Sequence, residues 1–238
     1  MNLFQQDRCL VCHNAIQPEI GWRAIFSIEK EPFLCTKCAG RLEKIVGETC
    51  RICCRPLTRL DEKFRKGDMC NDCFRWEEDS EWSGFLEKNH SIFLYNEFLK
   101  EVMAKYKFRG DYVLAKVFAQ FFKIELIKIN PDVLVPIPLS DERLYERGFN
   151  QAGALIIESG LAPSEILTRV HSEKQSKKSR SERIHLPQVF KLAAETNVQG
   201  KRIVLVDDIY TTGSTLRHAA KLLKAAGAER IQSLTIAR

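Results

Sequence analysis

Residues Ile203 to Leu216 read IVLVDDIYTTGSTL, and the order of residue types in this run decides the fold. Ile203, Val204, Leu205 and Val206 are four consecutive apolar residues, three of them β-branched, which marks a buried strand. Two acids, Asp207 and Asp208, stand at its carboxyl end, and Thr211, Thr212, Gly213, Ser214 and Thr215 then open a helix. Hydroxyls and backbone N–H groups gathered at a helix N-terminus, where the dipole favours negative charge, make a phosphate cradle, and Gly213 lets the backbone approach the anion. That anion repels carboxylates, so Asp207 and Asp208 suit the hydroxyls of a sugar attached to the phosphate.

The neighbouring segments extend this reading. Val133 to Pro138, VLVPIP, is a second apolar strand whose prolines end it and fix the path of the loop LSDERLYERGFNQ. Arg143 and Arg147 are four apart and share a helical face; they are either a solvated surface paired with Asp141, Glu142 and Glu146 or, at the carboxyl end of a strand, ligands for an anion. Gly148 marks a turn before a helix from Asn150 to Glu158. Upstream, Ser91 to Tyr95 reads as a strand and Asn96 as the cap of a helix with the face Leu99, Val102, Met103 and Tyr106. Gly110 stops that helix and Asp111 caps the next, but capping does not account for Lys107 and Arg109.

Beyond a strand near Ile166 to Val170, the run HSEKQSKKSRSER over 171–183 holds Lys174, Lys177, Lys178, Arg180 and Arg183 and almost no apolar residue. Such a segment cannot pack against a core, so the sequence leaves it as a lid, an arm for nucleic-acid phosphates or a solvated loop. Phe190 to Ala194 resumes ordered structure. After the phosphate loop, Leu216, Ala219, Ala220 and Leu223 form a helix face, Gly227 terminates the helix, and Ile231 to Ala237 supplies a strand. Strands alternating with helices predict an α/β fold with a parallel sheet flanked by helices.

All nine cysteines of the 238-residue chain lie between Cys9 and Cys73. Eight form four CxxC pairs: Cys9/Cys12, Cys35/Cys38, Cys50/Cys53 and Cys70/Cys73. Each pair is a knuckle, and two knuckles complete a tetrahedral Zn²⁺ site, so two structural zinc ions are expected. Sequential pairing puts Cys9, Cys12, Cys35 and Cys38 on one ion and Cys50, Cys53, Cys70 and Cys73 on the other; cross-bracing of the first pair with the third fits the spacing as well. Cys54 and His13 are expected to be non-ligands. Trp22, Ile25, Phe26, Phe33, Leu34, Leu42 and Ile45 are too few for a large core, so metal should carry much of the folding energy. Composition therefore divides the chain into a small zinc-ribbon-like domain over 1–88 and an α/β domain over 89–238, with an acidic linker from Trp76 to Asn89.

The formal charge of +6 is uneven: residues 1–89 carry 14 Lys+Arg against 15 Asp+Glu, and residues 90–238 carry 23 against 16. The excess suits nucleic acid, a polyphosphate ligand or plain solubility. With neither a basic leader followed by an apolar run nor an apolar stretch of about 18 residues, the expectation is a cytoplasmic protein without membrane insertion.

Taken together, the four CxxC pairs, KFRGD at 107–111, VPIPLS with RGFNQ over 135–151, KQSKK near Gln175 and VDDIYTTGST resemble the ComF family of late competence proteins. The resemblance spans nearly the whole chain. It implies a zinc-binding module joined to a type I phosphoribosyltransferase-like domain that acts in natural transformation on incoming single-stranded DNA, beside the DNA-translocating ATPase ComFA. It also implies a site for phosphoribosyl pyrophosphate (PRPP) with Mg²⁺: Asp207 and Asp208 on the ribose, Thr211 to Thr215 on the 5′-phosphate, and Arg143 and Arg147 near the pyrophosphate. Cys54 stands where the family usually has glycine. Two functions fit this set: a DNA-uptake factor that uses the PRPP-type site as a binding pocket, and a working phosphoribosyltransferase with an unidentified acceptor.

Overall fold

The computed structural model describes residues 7–16, 33–108, 110–170, 189–194 and 196–238. The run 171–183, with its five cations, lies outside the described residues, as do Arg109, Trp22, Ile25 and Phe26. A short helix α1 (Thr36–Ala39) follows the second knuckle, and a two-stranded antiparallel ribbon, β1 (Arg65–Lys66) with β2 (Met69–Cys70), leads into α2 (Asn71–Glu78). The central sheet then begins: β3 (Lys88–Phe93), α3 (Glu97–Phe108), α4 (Leu114–Ile129), β4 (Val133–Pro136), α5 (Asp141–Arg147), α6 (Gln151–Glu158). A second antiparallel pair, β5 (Leu167–Arg169) with β6 (Phe190–Leu192), precedes β7 (Arg202–Ile209), α7 (Ser214–Ala225) and β8 (Arg230–Ala237).

The sheet is four-stranded and wholly parallel, in the order β3-β8-β7-β4, so the α/β expectation holds. The near-continuous apolar run of β7 is explained by burial on both faces. Val204 and Val206 join Leu234 and Ile236 under α3, α4 and α6, while Ile203 and Leu205 join Val135 and Ile231 under α7. Each face also receives one set of cysteines: Cys9 and Cys38 pack into the first core, and Cys50, Cys53, Cys70 and Cys73 into the second. Among the described residues, the cysteine-bearing segment shares both cores with the rest of the chain, and packing runs across position 88.

Several local expectations hold. Asn96 accepts from the Leu99 N–H at 2.9 Å, and Asn150 accepts from the N–H groups of Ala152 and Gly153. Gly148 takes φ 77° behind α5, the left-handed region that glycine enters without penalty. Others change. The strand expected over Ser91 to Tyr95 runs from Lys88 to Phe93, because Asn89 is buried in a polar network with Ser91, Ser233 and Thr235. Asp111 does not cap α4; the helix starts at Leu114 with Val113 at its N-cap position and no side-chain cap. β5 pairs with β6, outside the parallel sheet.

The stretch read as a polar linker is packed. Trp76 and Trp82 are buried edge-to-face against each other, Leu86 lies in the second core, and Glu77 and Glu81 pair with Arg217 and Lys221 of α7 at 2.8 Å each. Its acids face cations across the chain and not solvent alone, which composition could not reveal.

Candidate functional site

β4 and β7 are adjacent and parallel, so the loops leaving their carboxyl ends meet at one edge of the sheet. Between them lies a cavity of about 520 Å³ lined by Lys107, Arg143, Arg147, Arg169, Asp207, Asp208, Thr211, Thr215 and Arg238, among others. Crevices at strand carboxyl ends are where α/β sheets take ligands. Five cations, two acids and two threonines converge there. The arrangement suits an anionic ligand that also carries hydroxyls.

The acids lie inside β7, which continues to Ile209. Asp208 is buried and meets Lys107 Nζ at 2.8 Å and Arg147 Nη1 at 3.7 Å. Arg147 also donates to Gln151 at 2.9 Å, which fixes its reach. Asp207 accepts from the Asp208 N–H at 2.8 Å. Burial, and then the neighbouring Asp208 charge, push Asp207 up to about 7, against the pull of Lys107 and Arg147. Two cations thus face Asp208, and Asp207 beside it is raised toward neutrality.

The loop after β7 turns on Gly213, at φ 80°. A β-carbon at Gly213 would lie 2.1 Å from the Tyr210 hydroxyl, so glycine is required by space as well as by conformation. α7 follows at once; Gly213 at its N-cap position offers no side-chain cap, and the Ser214 N–H reaches the Thr212 hydroxyl at 3.4 Å. Of the five loop residues expected to hold phosphate, Thr211 and Thr215 line the cavity, while Thr212 and Gly213 form the turn and Ser214 opens α7. Trp76 donates to the Thr212 carbonyl at 3.1 Å, and the Arg238 guanidinium donates to the carbonyls of Tyr210 and Thr211.

Arg143 and Arg147 line the cavity, which favours the anion-ligand reading of their shared face. Lys107, which no local feature of the sequence accounts for, finds its role in the Asp208 ion pair. Arg169 and Arg238 carry no sequence signal, since nothing in the spacing around them marks a turn or a cap facing the site. The basic run 171–183 begins two residues after Arg169.

The cysteines form two clusters, Cys9/Cys12/Cys35/Cys38 and Cys50/Cys53/Cys70/Cys73, with all four sulfurs of each within 4.8 Å of one another. This is the sequential grouping. The Cys12–Cys35 and Cys53–Cys70 separations, 3.7 and 3.6 Å, match the edge of about 3.8 Å expected when four thiolates surround Zn²⁺ at about 2.3 Å, and they far exceed a disulfide bond. Both sets fit zinc. Cys54 and His13 take φ 58° and 61° at the turns that close two knuckles, and Cys54 donates to the Asn89 carbonyl at 3.0 Å; neither joins a cluster. The family's usual glycine after the knuckle answers to the same positive φ.

The family described as "Phosphoribosyl transferase domain" matches residues 114–238. The chain is 38% identical over 235 residues to "Competence protein ComFC" of Bacillus subtilis, covering 97% of this chain and 94% of that one. The Streptococcus pneumoniae protein of the same name is 33% identical, with 97% and 100% covered. The chain belongs to the ComF family. A more distant member, "Competence protein F" of Haemophilus influenzae, is 28% identical with 87% of this chain and 97% of its own length covered. This ComF protein thus carries a phosphoribosyl transferase domain whose strand ends form the cavity. Among the described residues, no helix is long and apolar enough to cross a membrane.

Proposed function

We propose that this protein acts in DNA uptake during natural transformation, in the cytoplasm, and that its cavity holds PRPP or a related phosphosugar with Mg²⁺. The observation that carries the reading is the meeting of Asp207 and Asp208 with the Thr211–Thr215 loop, at the N-terminus of α7, inside one ring of cations. The acids accept the ribose hydroxyls, and the loop receives the 5′-phosphate. Arg143 and Arg147 lie toward the pyrophosphate. Mg²⁺ entering with the ligand supplies neutralising charge for the diphosphate. Two Zn²⁺ ions on the cysteine clusters are structural, because four thiolates leave no open position.

Single-stranded DNA, passed on in concert with the ATPase ComFA, is the polyanionic partner in this reading. Arg143 and Arg169 on the cavity rim, continued in sequence by the five cations of 171–183, supply the charge. Titration calorimetry with PRPP·Mg²⁺ and, separately, with an oligonucleotide tests both parts. Replacement of Asp207 and Asp208 by Asn should lower PRPP affinity by about tenfold or more, since each charge-assisted hydrogen bond contributes about 1.5–3 kcal/mol. Changing Lys177, Lys178 and Arg180 to Ala should lower DNA affinity and flatten its log-log salt dependence, by about 0.7 in slope for each phosphate no longer neutralised. Unchanged affinities would sink the corresponding part.

A second reading, transfer of ribose 5-phosphate to an acceptor, is favoured by one observation. A carboxyl held near neutrality beside the ligand is suited to proton transfer. Pyrophosphate release from PRPP in the presence of candidate acceptors separates the two.

A further inference from the structure

Behind the phosphate loop, Tyr210 borders the cavity and belongs to the second core. It is 2% exposed, its hydroxyl has no hydrogen-bond partner among the described residues, and it sits within electrostatic range of Cys53, Cys73, Arg217 and Arg238. Two guanidiniums flank the same place. Arg217 is wholly buried on α7, over the Trp76 ring at 5.2 Å, with one nitrogen on Glu77 and with Nε and Nη2 unpartnered among the described residues. Arg238 lies over the Tyr210 ring at 4.9 Å. One of its nitrogens is spent on the Tyr210 and Thr211 carbonyls, and its buried Nε and Nη2 are likewise unpartnered.

Four buried guanidinium nitrogens without acceptors are costly, and the uncompensated anions nearby are the thiolates of the second cluster. A zinc ion with four thiolates carries a net charge of −2, and Cys50, Cys53, Cys70 and Cys73 are all 0–1% exposed. The Arg238 guanidinium faces that charge, and Arg217, already paired with Glu77, adds its remaining nitrogens on the same side. Cys53 and Cys70 act electrostatically on Arg238, and Cys73 acts on Arg217. The first cluster has no counterpart: Cys12 and Cys35 are partly exposed, and no buried arginine lies beside them among the described residues.

We infer that the Cys50/Cys53/Cys70/Cys73 metal centre is the rear wall of the phosphate loop, with Arg238 and Arg217 as positioning residues that tie its charge to the Tyr210–Gly213 turn. The tie has three strands. Arg238 joins the cluster to the Tyr210 and Thr211 carbonyls. Trp76, three residues after Cys73 on α2, holds the Thr212 carbonyl. Tyr210 fills the space that Gly213 leaves open. Losing this metal therefore releases the loop more than losing the first one does. The loop's role in binding PRPP rests on the function proposed above; its attachment to the cluster does not.

Hydrogen exchange of the Tyr210–Leu216 amides on the zinc-loaded protein, with no PRPP added, reads the attachment directly. Arg238→Gln, Arg217→Gln and Cys73→Ser should each accelerate exchange there, and Arg238→Gln should speed release of one zinc of two to a chelator. Arg238→Lys should partly restore both. Cys12→Ser should accelerate exchange there less than Cys73→Ser does. PRPP affinity, where the wild type has it, should fall by about tenfold or more in Arg238→Gln, the scale of one charge-assisted hydrogen bond that orders the site. Should Cys73→Ser fail to fold, the two arginine variants still decide. Loop exchange and zinc release that stay at wild-type rates in both overturn the inference. A wild type that binds no PRPP overturns the proposed ligand and leaves the exchange result to stand or fall alone.

Discussion

Asp207 offers the clearest test at the scale of a residue. Its carboxyl, ordinarily ionised above about 4, is raised to about 7 by burial and by Asp208. A ribose hydroxyl donates to the ionised form, so PRPP affinity should rise as pH increases from 6 to 8, and Asp207→Asn should flatten the profile. Stability has the opposite sign. A carboxyl with a raised folded pKa opposes folding once it must ionise, so the ligand-free protein should lose stability between about pH 4 and pH 7, and Asp207→Asn should remove part of that loss in pH-dependent melts. Lys107→Met should weaken ligand binding and leave Asp208 partly uncompensated, with Arg147 at 3.7 Å as its remaining partner. Gly213→Ala meets the Tyr210 hydroxyl and a left-handed φ together, so it should cost more than the roughly 1 kcal/mol of an ordinary glycine replacement in that region. Denaturant midpoints measure it.

At the scale of elements, what the sequence made legible was what periodicity and caps control. α7 presents Leu216, Ala219, Ala220 and Leu223 inward as its spacing requires, and Leu223→Ala should cost about 2–5 kcal/mol because the residue is fully buried. The apolar run of β7, the Asn96 and Asn150 caps and the four knuckles could be read for the same reason: each is set by residues close in sequence. Lys107 illustrates the limit. Its partner Asp208 lies 101 positions away, so only its lack of a local role could flag it. The EEDSE stretch shows the same limit with the opposite sign, since its composition matches a solvated linker and its partners Arg217 and Lys221 lie 140 positions downstream. Arg169 and Arg238 gave no local mark at all, and only the fold brings them to the cavity.

For the whole molecule, the distribution of cysteines over both sheet faces changes what metal removal should do. Composition suggests a small domain that unfolds by itself. The cores instead contain one cluster each, so chelation should lower the melting temperature of the residues beyond 88 as well, and the zinc-loaded chain should unfold in a single transition with two Zn²⁺ per chain by metal analysis. A fragment beginning at 89 would lose the part of each core that Cys9, Val11 and Cys38 supply on one face and that Ile52, Leu57 and Leu86 supply on the other. It should bind an apolar dye and aggregate where the full chain does not. A fragment that stays monomeric and melts like the full chain would contradict this.

The place of β3 at the edge of the sheet sets a schedule for biosynthesis. Among the described strands its one neighbour is β8, and the buried Asn89 must wait for Thr235, 146 residues later, before its side chain is satisfied. The cysteines leave the ribosome well before the apolar walls that enclose them are translated. During that interval the eight clustered thiols, and Cys54 beside them, stand open to their surroundings. A nascent chain of this design meets its metal as an unfinished polymer, and the rate at which zinc arrives becomes a determinant of yield.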